Sequence, residues 1–372
     1  LSALLGACGG GGGGSVTPTP APPTGGDGGD ETGSQVFVTG AVTGFGSVIV
    51  EGHRFETNSA TVDVGEDAGS EDDLRIGQIV EVAGTRDEAG DLVADNIRYR
   101  ADVTGPLEAI DLEARTLLVA GQTILIRPRT RFEGDTLEAL NVGDIVEVSG
   151  RRDADGSIRA SFVELEDDLE VELTGPIRDL DPDALTFFIG GLLVDFGMAS
   201  LDPSDLTLTD GLIVQVEGEL QGDTLIAEEV ERKDALGERL EAGAEVEIEG
   251  LIREVLGDDS FTLRGLTVRF DANTEFDDGG PDNLAAGVFL DVEGTLDDGG
   301  VLIATDIEFD DDDEREGSIE FAGVVDAVNE DSIELLGVTL TVDRRTRLAD
   351  DRDEVRTFRL ADLTPGDFVE IS

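Results

Sequence analysis

One short segment recurs five times along the chain, and this repetition constrains the fold more than any other feature. Each copy begins with a glycine and then alternates polar and apolar residues, as in Gly143-Asp-Ile-Val-Glu-Val-Ser-Gly150. The leading glycines are Gly77, Gly143, Gly211, Gly287 and Gly366. Their spacings of 66, 68, 76 and 79 residues predict tandem modules of one kind rather than a single large domain.

Two further glycines accompany the recurring segment in the same order every time. The first set, which precedes each copy, is Gly40, Gly105, Gly175, Gly250 and Gly323. The second set, which lies between the other two, is Gly52, Gly121, Gly191, Gly265 and Gly337. Three markers in one order predict five modules, the last of which is expected to be truncated. The modules are expected to span residues 36–102, 103–172, 173–247, 248–316 and 317–372.

The hydrophobic pattern within one module predicts five strands. In module 2 the strands are expected at 103–110, 116–120, 123–126, 144–149 and 158–165. Leu137, Leu140 and Val142 have helical spacing and predict one turn of helix between the third and fourth strands. Three strands, a short helix and two strands is the order of an OB-type barrel. We expect an all-β tandem array of five small five-stranded OB-like β-barrel modules, with an SH3-like barrel or a small sandwich as the alternative.

The fourth strand also predicts which side chains face the core. Val146 and Val148 flank Glu147, and Val80 and Val82 flank Glu81 in the same way. Because side chains alternate between the two faces of a strand, the valines are expected inside and the acidic residues on a solvated outer face. Modules this small bury only about 60% of their unfolded surface. Neighbouring modules are therefore expected to share some interface.

The charge balance excludes several classes of partner. The chain has 85 acidic and 26 basic residues and a net charge of −59, which repels nucleic-acid phosphates and anionic lipid headgroups. No nucleic-acid partner is expected. A single cysteine and a single histidine exclude intrachain disulfides and His/Cys metal clusters. The acidity has two open explanations, which are the codon bias of a GC-rich genome and a salty habitat whose ions screen the self-repulsion.

The first residues resemble the processing site of bacterial lipoproteins. Leu5, Gly6 and Ala7 precede Cys8 as in the lipobox of that family, so residues 1–8 are interpreted as the remnant of a signal peptide whose start is missing. The resemblance implies cleavage before Cys8 and lipidation of Cys8. Residues 9–35 are rich in Gly, Pro and Thr and predict a disordered tether. The alternative is an ordinary secretory peptide with an incidental cysteine.

The lipoprotein resemblance also implies a location. An Asp directly after the lipidated cysteine retains such proteins at the inner membrane of enteric bacteria, and Gly9 stands there instead. We therefore expect an outer-membrane lipoprotein of the bacterial cell envelope, which faces the periplasm or the cell surface.

The repeats are similar to the bacterial domain of unknown function 5666. The similarity rests on the opening Gly323-Val-Val-Asp-Ala-Val328, on the Gly143–Gly150 segment and on the closing Leu92-Val-Ala-Asp-Asn-Ile97. It covers residues 36–372. This family occurs as tandem copies in secreted and lipid-anchored proteins and has no established activity, so the resemblance supports the modular fold and implies no chemistry.

Few residues are candidates for a chemical site. His53 is the only imidazole, but its counterparts are Gln122, Leu192, Leu266 and Val338, so it is interpreted as a strand position rather than a catalytic base. Calcium is the one cofactor considered, because carboxylates are hard oxygen ligands. The weak candidate ligands are Asp179, Asp181, Asp183, Asp310, Asp311, Asp312 and Asp313. The first three are equally consistent with a turn, and the last four with a solvated charge run.

These observations favour a function without catalysis. The leading hypothesis is a lipid-anchored envelope repeat protein that acts as a non-catalytic multivalent binding module or spacer. Its partners would be the membrane, through the lipid anchor, and an uncharged or cationic envelope protein or polysaccharide. The alternative is a structural or calcium/cation-binding surface component, and a carboxylate-based hydrolase is the third hypothesis. The ligand and the oligomeric state do not follow from the sequence.

Overall fold

The computed structural model describes a defined part of the chain. It covers residues 34–371 except 66, 88, 134–135, 167–169, 234–235, 237–239, 310–320, 330–331, 336–337, 343–359, 361–362 and 367. Four predicted features lie outside the described residues: the expected lipobox, Cys8, most of the expected tether and the candidate calcium ligands Asp310–Asp313. Residues 33–372 form one compact unit. Among the residues described, no helix is long and apolar enough to span a membrane.

Module 1 is a closed barrel. Its strands are β1 (Ser34–Gly44), β2 (Val48–Val50), β3 (His53–Glu56), β4 (Thr61–Val64), β5 (Asp67–Gly69), β6 (Ile79–Arg86) and β7 (Leu92–Tyr99). Antiparallel ladders join β1 to β2, β2 to β3, β6 to β7 and β1 to β6. The short β3 runs parallel to β7. The circuit β1-β2-β3-β7-β6 therefore returns to β1, as expected for an OB-type barrel.

Modules 2 to 4 repeat this circuit. Module 2 consists of β8 (Val103–Asp111), β9 (Thr116–Val119), β10 (Gln122–Phe132), β11 (Ile145–Arg152) and β12 (Ile158–Glu166). Module 3 consists of β13 (Val171–Pro176), β14 (Arg178–Asp181), β15 (Thr186–Ile189), β16 (Leu192–Asp195), β17 (Ser200–Asp202), β18 (Ile213–Gln221) and β19 (Thr224–Arg232). Module 4 consists of β20 (Glu245–Val255), β21 (Ser260–Leu263), β22 (Leu266–Arg269), β23 (Glu275–Asp277), β24 (Phe289–Leu296) and β25 (Val301–Phe309). In each module one strand lies parallel to the last strand and closes the barrel: β10 pairs with β12, β16 with β19, and β22 with β25.

Module 5 keeps the start of the same pattern. Its described strands are β26 (Phe321–Val328), β27 (Ser332–Leu335), β28 (Val338–Thr341) and β29 (Phe368–Ile371). Antiparallel ladders join β26 to both β27 and β29, and β27 to β28. The expected all-β tandem array of barrel-like modules is thus confirmed.

The cores consist of the inward-facing residues that the alternation predicted. Val146 and Val148 are fully buried, as are Val80 and Val82. Modules 1, 4 and 5 each have an apolar cluster, with Phe37 of module 1 belonging to the cluster of module 4, whereas the buried residues of modules 2 and 3 form one continuous cluster. Each large side chain buried in this way contributes about 1.5–3 kcal/mol, so the apolar pairs of the recurring segment are a main source of stability.

The recurring glycines meet two different backbone requirements. Gly143, which leads the segment in module 2, has φ +100°, a conformation that favours glycine. Gly150, which closes the segment, lies at a β-bulge between β11 and β12. A Cβ at Gly150 would lie 2.3 Å from the carbonyl oxygen of Arg159, so a side chain does not fit there.

The predicted helical turn in module 2 is not formed. Residues 137–139 lie in a turn in which the Ala139 N–H donates to the Thr136 carbonyl oxygen. Leu137 and Leu140 are buried as expected, but Val142 is 64% exposed. The spacing of the two leucines suits a single turn as well as a helix, and a second turn follows at once, in which the Asp144 N–H donates to the Asn141 carbonyl oxygen and Gly143 has a positive φ. Modules 1 and 4 have short 3-10 turns at Glu71–Asp73 and Pro281–Asn283.

The barrels do not pack only in chain order. The first strands of modules 1 and 4 pair in parallel, with Val36, Phe37 and Val38 of β1 opposite residues 245–247 of β20. Modules 2 and 3 are joined by an antiparallel pairing of β8 with β13. Modules 1 and 4 are therefore neighbours in space although two modules separate them in the chain.

Candidate functional site

The outer face of module 4 carries four carboxylates on two adjacent strands. Glu247 of β20 lies directly opposite Glu293 of β24, and Glu249 lies opposite Asp291. Residues two apart on a strand point to the same face, so all four side chains share one surface. Like charges directly opposite each other destabilise a sheet unless other groups compensate them. The compensating groups come from residues of other modules that cover this surface.

Modules 1 and 2 cover the acidic face of module 4. Module 1 places Glu51 and His53 there from the tight turn between β2 and β3, and module 2 contributes Arg151 from β11. We call these seven residues the junction cluster: Glu51, His53, Arg151, Glu247, Glu249, Asp291 and Glu293. The cluster thus lies where three modules meet.

Arg151 connects all three modules. Its Nη2 lies 3.3 Å from Glu51 Oε1 and also contacts Glu249 Oε2. Its guanidinium carbon lies 5.5 Å from the centroid of the Phe289 ring, which is a cation–π contact. The Glu51 carboxylate is fixed further by the Ala41 N–H, which donates to Oε1 at 2.9 Å. One guanidinium therefore holds carboxylates of two different barrels.

His53 forms an ion pair with module 4. Its Nε2 lies 2.5 Å from Glu247 Oε2. This hydrogen bond raises the pKa of His53, whereas burial raises the pKa of Glu247 against the opposing effect of His53. His53 begins β3, so its interpretation as a strand position agrees with the fold. Its contact with another module is a role that the sequence analysis missed.

The junction cluster holds more negative than positive groups. Asp291 Oδ1 is shielded from solvent and receives no hydrogen bond from any residue that the structure describes. Burial, together with the nearby Glu247 and Glu249, raises the pKa of Asp291 to about 8. Burial also raises the pKa of Glu249 to about 7, although Arg151 opposes this shift. The cluster can therefore take up a proton or a cation.

A second group of acids lies between modules 1 and 2. The buried Tyr99 hydroxyl donates to Glu147 Oε1 at 2.5 Å. Oxygens of Glu147, Glu164 and Glu166 lie within 4.8 Å of one another. Burial raises the pKa of both Glu147 and Glu164, and the proximity of the two carboxyls raises that of Glu164 further.

The acidic position of the recurring segment faces a neighbouring residue rather than open solvent. In module 1, Glu81 accepts a hydrogen bond from Arg264 Nη2 of module 4 at 2.7 Å. Glu147 accepts one from Tyr99, and Gln215 is 1% exposed and donates to Glu172. The expectation of a solvated face is therefore wrong at Glu81 and Glu147, because each of these side chains contacts a residue of another barrel, whereas the partner of Gln215 lies on the adjacent strand of the same barrel.

The predicted calcium ligands in module 3 form a turn. Asp181 Oδ1 accepts the N–H of Asp183 at 3.0 Å and that of Ala184 at 2.9 Å, which caps the turn between β14 and β15. Asp179, Asp181 and Asp183 are all exposed. In the described part of the chain, potential metal-ligating groups of three occur at two places, and neither includes these aspartates.

Comparison with known proteins places the repeats in a family. The model of the domain of unknown function DUF5666 matches residues 37–98, 104–164, 174–231, 249–308 and 322–372. No curated protein matches the chain. The solved structure of Drosophila Unr CSD456 matches with 14% identity and a TM-score of 0.15, over 57% of this chain and 98% of that one. Because five matches together account for most of the chain, the protein belongs to the DUF5666 family, with five copies of the domain in tandem.

Proposed function

We propose that this chain is a non-catalytic, lipid-anchored repeat protein of the bacterial envelope that acts as a multivalent binding scaffold or spacer. The observation that supports this most is the packing of modules 1, 2 and 4 around Arg151. A partly buried ion network of this kind has a preferred geometry, so the barrels would present their exposed surfaces at fixed spacings. A partner with a matching repeat would then be bound at several points.

The chemistry of the partner follows from charge. With a net charge of −59, the protein repels polyanions and attracts cationic surfaces. A basic envelope protein, or a polysaccharide coated with cations, would suit this surface. Weak binding at each module is sufficient, because linked sites raise the overall avidity by about 10²–10⁴-fold without new contacts.

The anchor is proposed from the first residues. Leu5-Gly6-Ala7-Cys8 has the composition of a lipobox, and acylation with two or more chains gives stable membrane attachment. The Gly-rich segment that follows would serve as a tether between the membrane and the modules. This arrangement suits an outer-membrane lipoprotein.

A cation-binding structural component is the second candidate. It is favoured by the surplus of carboxylates in the junction cluster, where Glu249 and Asp291 have raised pKa values. A carboxylate-based hydrolase has less support, because these acids lie at contacts between modules rather than in a substrate cleft.

Binding to isolated bacterial envelopes tests the proposal. The full chain should co-sediment saturably with envelope fractions, and a basic polypeptide should compete. Arg151→Gln should weaken this binding several-fold, because the modules lose their fixed arrangement. Arg127→Gln, which removes an exposed arginine of the same module, is the matched control. Circular dichroism should show that both variants are folded. Equal binding by the two variants would contradict the scaffold proposal, and release of sugars from the envelope would favour the hydrolase.

A further inference from the structure

We propose that His53, Glu247 and Glu293 form a binding site for a first-row divalent transition-metal ion, represented by Zn²⁺, between modules 1 and 4. One ligand atom from each residue lies within 4.8 Å of the other two. The inference goes beyond the scaffold function, since it assigns a specific ligand to one place in the array.

The backbone brings these three residues together without flexible loops. His53 directly follows Gly52, whose φ of +82° forms the tight turn between β2 and β3. Glu247 and Glu293 lie opposite each other in the ladder of β20 with β24. The parallel pairing of β1 with β20 holds module 1 against this ladder. The ligands therefore come from regular strands of two barrels.

The distances suit replacement of a proton by a metal. In a tetrahedral zinc site, ligand bonds of 2.0–2.2 Å place the ligand atoms about 3.3–3.6 Å apart. His53 Nε2 and Glu247 Oε2 are 2.5 Å apart, which is hydrogen-bond distance. If these two atoms move apart by about 1 Å, the metal ion fits between them. Glu293 is exposed, so its carboxylate can rotate to complete the site and gives the ion a path from solvent.

The surrounding charges favour a dication. The junction cluster contains five carboxylates against Arg151 and the single imidazole of His53. A neutral imidazole, two carboxylates and one divalent ion form a group of zero net charge. The buried Asp291 Oδ1, which has no hydrogen-bond partner among the described residues, lies one pleat along β24 from Glu293. A positive ion at Glu247 would compensate this group as well.

The ligand types select the class of ion. An imidazole nitrogen suits zinc and its first-row neighbours, whereas calcium prefers a full set of oxygen ligands. Three protein ligands leave a fourth position for water. The group of Glu147, Glu164 and Glu166 has oxygens only, and the Tyr99 hydroxyl already occupies Glu147, so the assignment is not extended to it.

Calorimetric titration of the full chain tests the site. The protein is treated with a chelator and its Cys8 thiol is alkylated, so that the thiol cannot bind the metal. ZnCl₂ is then titrated in 1 M NaCl with 5 mM CaCl₂, which suppresses diffuse binding to the acidic surface. We expect one saturable Zn²⁺ site per chain. Co²⁺ should give the visible absorption of a nitrogen- and oxygen-ligated ion.

Two variants test the proposed ligands, and a third serves as the control. His53→Gln, which introduces the residue found at the equivalent position 122, and Glu293→Gln should each weaken Zn²⁺ binding by 10-fold or more. Glu254→Gln removes an exposed acid from the same strand as Glu247 and should bind like the parent. Zn²⁺ should also raise the melting midpoint of the parent and of Glu254→Gln, but not that of His53→Gln.

Two outcomes would overturn the proposal directly. The parent would show no saturable Zn²⁺ binding under these conditions, or His53→Gln would bind Zn²⁺ with the same affinity as the parent. Melting in EDTA checks that each variant is folded. Because Glu293 is exposed, Glu293→Gln should fold like the parent, and undiminished binding by this variant would also refute the site. Envelope binding that persists in EDTA would leave the scaffold function standing on its own.

Discussion

The guanidinium of Arg151 in module 2 contacts the carboxylate of Glu249 in module 4, so a module in the middle of the array is joined to one that is not its chain neighbour. Glu249 is 4% exposed and Arg151 is 24% exposed at their side chains. An ion pair in such surroundings gains little over an apolar contact, but the loss of one partner leaves the other charge buried and uncompensated. The intact pair is therefore expected to add little net stability, whereas removal of either partner should destabilise the protein.

Replacement of Arg151 tests this relationship. Arg151→Gln should lower the free energy of unfolding by about 2–4 kcal/mol, because Glu51 and Glu249 lose their shared counter-charge. Urea unfolding followed by circular dichroism measures the change. A double-mutant cycle with Glu249→Gln should show a coupling of about 1–3 kcal/mol. Arg127→Gln serves as the control, and a coupling near zero would show that the contact has no energetic role.

The bulge glycine offers a second prediction. In Gly150→Ala the new Cβ would lie 2.3 Å from the carbonyl oxygen of Arg159 and 2.8 Å from Ile158 Cγ2, so β11 and β12 must separate. We expect a loss of about 2–4 kcal/mol in unfolding free energy. Gly257→Ala is the matched substitution at a site where the nearest atom is 3.8 Å away. Its effect should remain within about 0.5 kcal/mol, and similar losses in both variants would contradict the steric explanation.

Much of the fold could be predicted from the sequence, because strand geometry is a local property. The period of two placed Val146 and Val148 in the core, and the repeated glycines marked the five modules. The distant partner of Glu147 could not be predicted. Tyr99 lies 48 residues earlier in the chain, and the contact depends on how two complete barrels pack.

The junction cluster was missed for the same reason. The pairing of His53 with Glu247 requires β1 to lie parallel to β20, and no local pattern specifies that contact. One feature of the sequence could have indicated this contact between modules. His53 and Gln122 are polar where Leu192 and Leu266 are buried, and Gln122 indeed donates to the Ile189 carbonyl oxygen of module 3 at 2.8 Å. A polar residue at a position that is apolar in sister modules can thus indicate a contact between modules.

The free energy of unfolding should fall as the pH rises from about 4 to about 6, because of Asp102. The Gly150 N–H donates to its Oδ2 at 2.9 Å, yet burial raises the pKa of Asp102 to about 6. A carboxyl with a raised pKa in the folded state binds protons more tightly there than in the unfolded chain. Its contribution is therefore fully present below the unfolded value near 3.9 and is lost as the pH rises through about 6.

Asp102→Asn isolates this effect, because the amide oxygen can still accept the Gly150 N–H but does not ionise. The variant should match the parent near pH 4 and exceed it by about 2–3 kcal/mol at pH 7.5. Urea unfolding of both proteins at the two pH values measures the difference in their unfolding free energies. Electrostatic repulsion that is present in both proteins cancels from this difference. A constant difference between the two proteins across this range would contradict the pKa shift.

Lipidation of Cys8 is tested by replacing it in a bacterial host. When the chain is expressed behind a complete signal peptide, the parent should partition into membranes through its acyl chains. Cys8→Ala should remain uncleaved or appear in the soluble fraction. Fractionation and gel mobility report both changes, and Ser2→Ala is the control because it alters a residue outside the lipobox. If Cys8→Ala fractionates and migrates like the parent, the protein is not a lipoprotein of this type.

The last prediction concerns salt, and it follows from the excess of acidic residues throughout the array. A net charge of −59 opposes compaction, and the junction cluster concentrates part of that charge where three modules meet. The Debye length falls from about 30 Å at 0.01 M salt to about 3 Å at 1 M, so repulsion between modules should be screened over this range. The melting midpoint should therefore rise steadily with NaCl. Arg151→Gln should depend on salt more steeply than Arg127→Gln, because both lose one positive charge but only the first loses it between the barrels. A midpoint that stays constant from 0.01 to 1 M NaCl would mean that self-repulsion does not limit the stability of this fold.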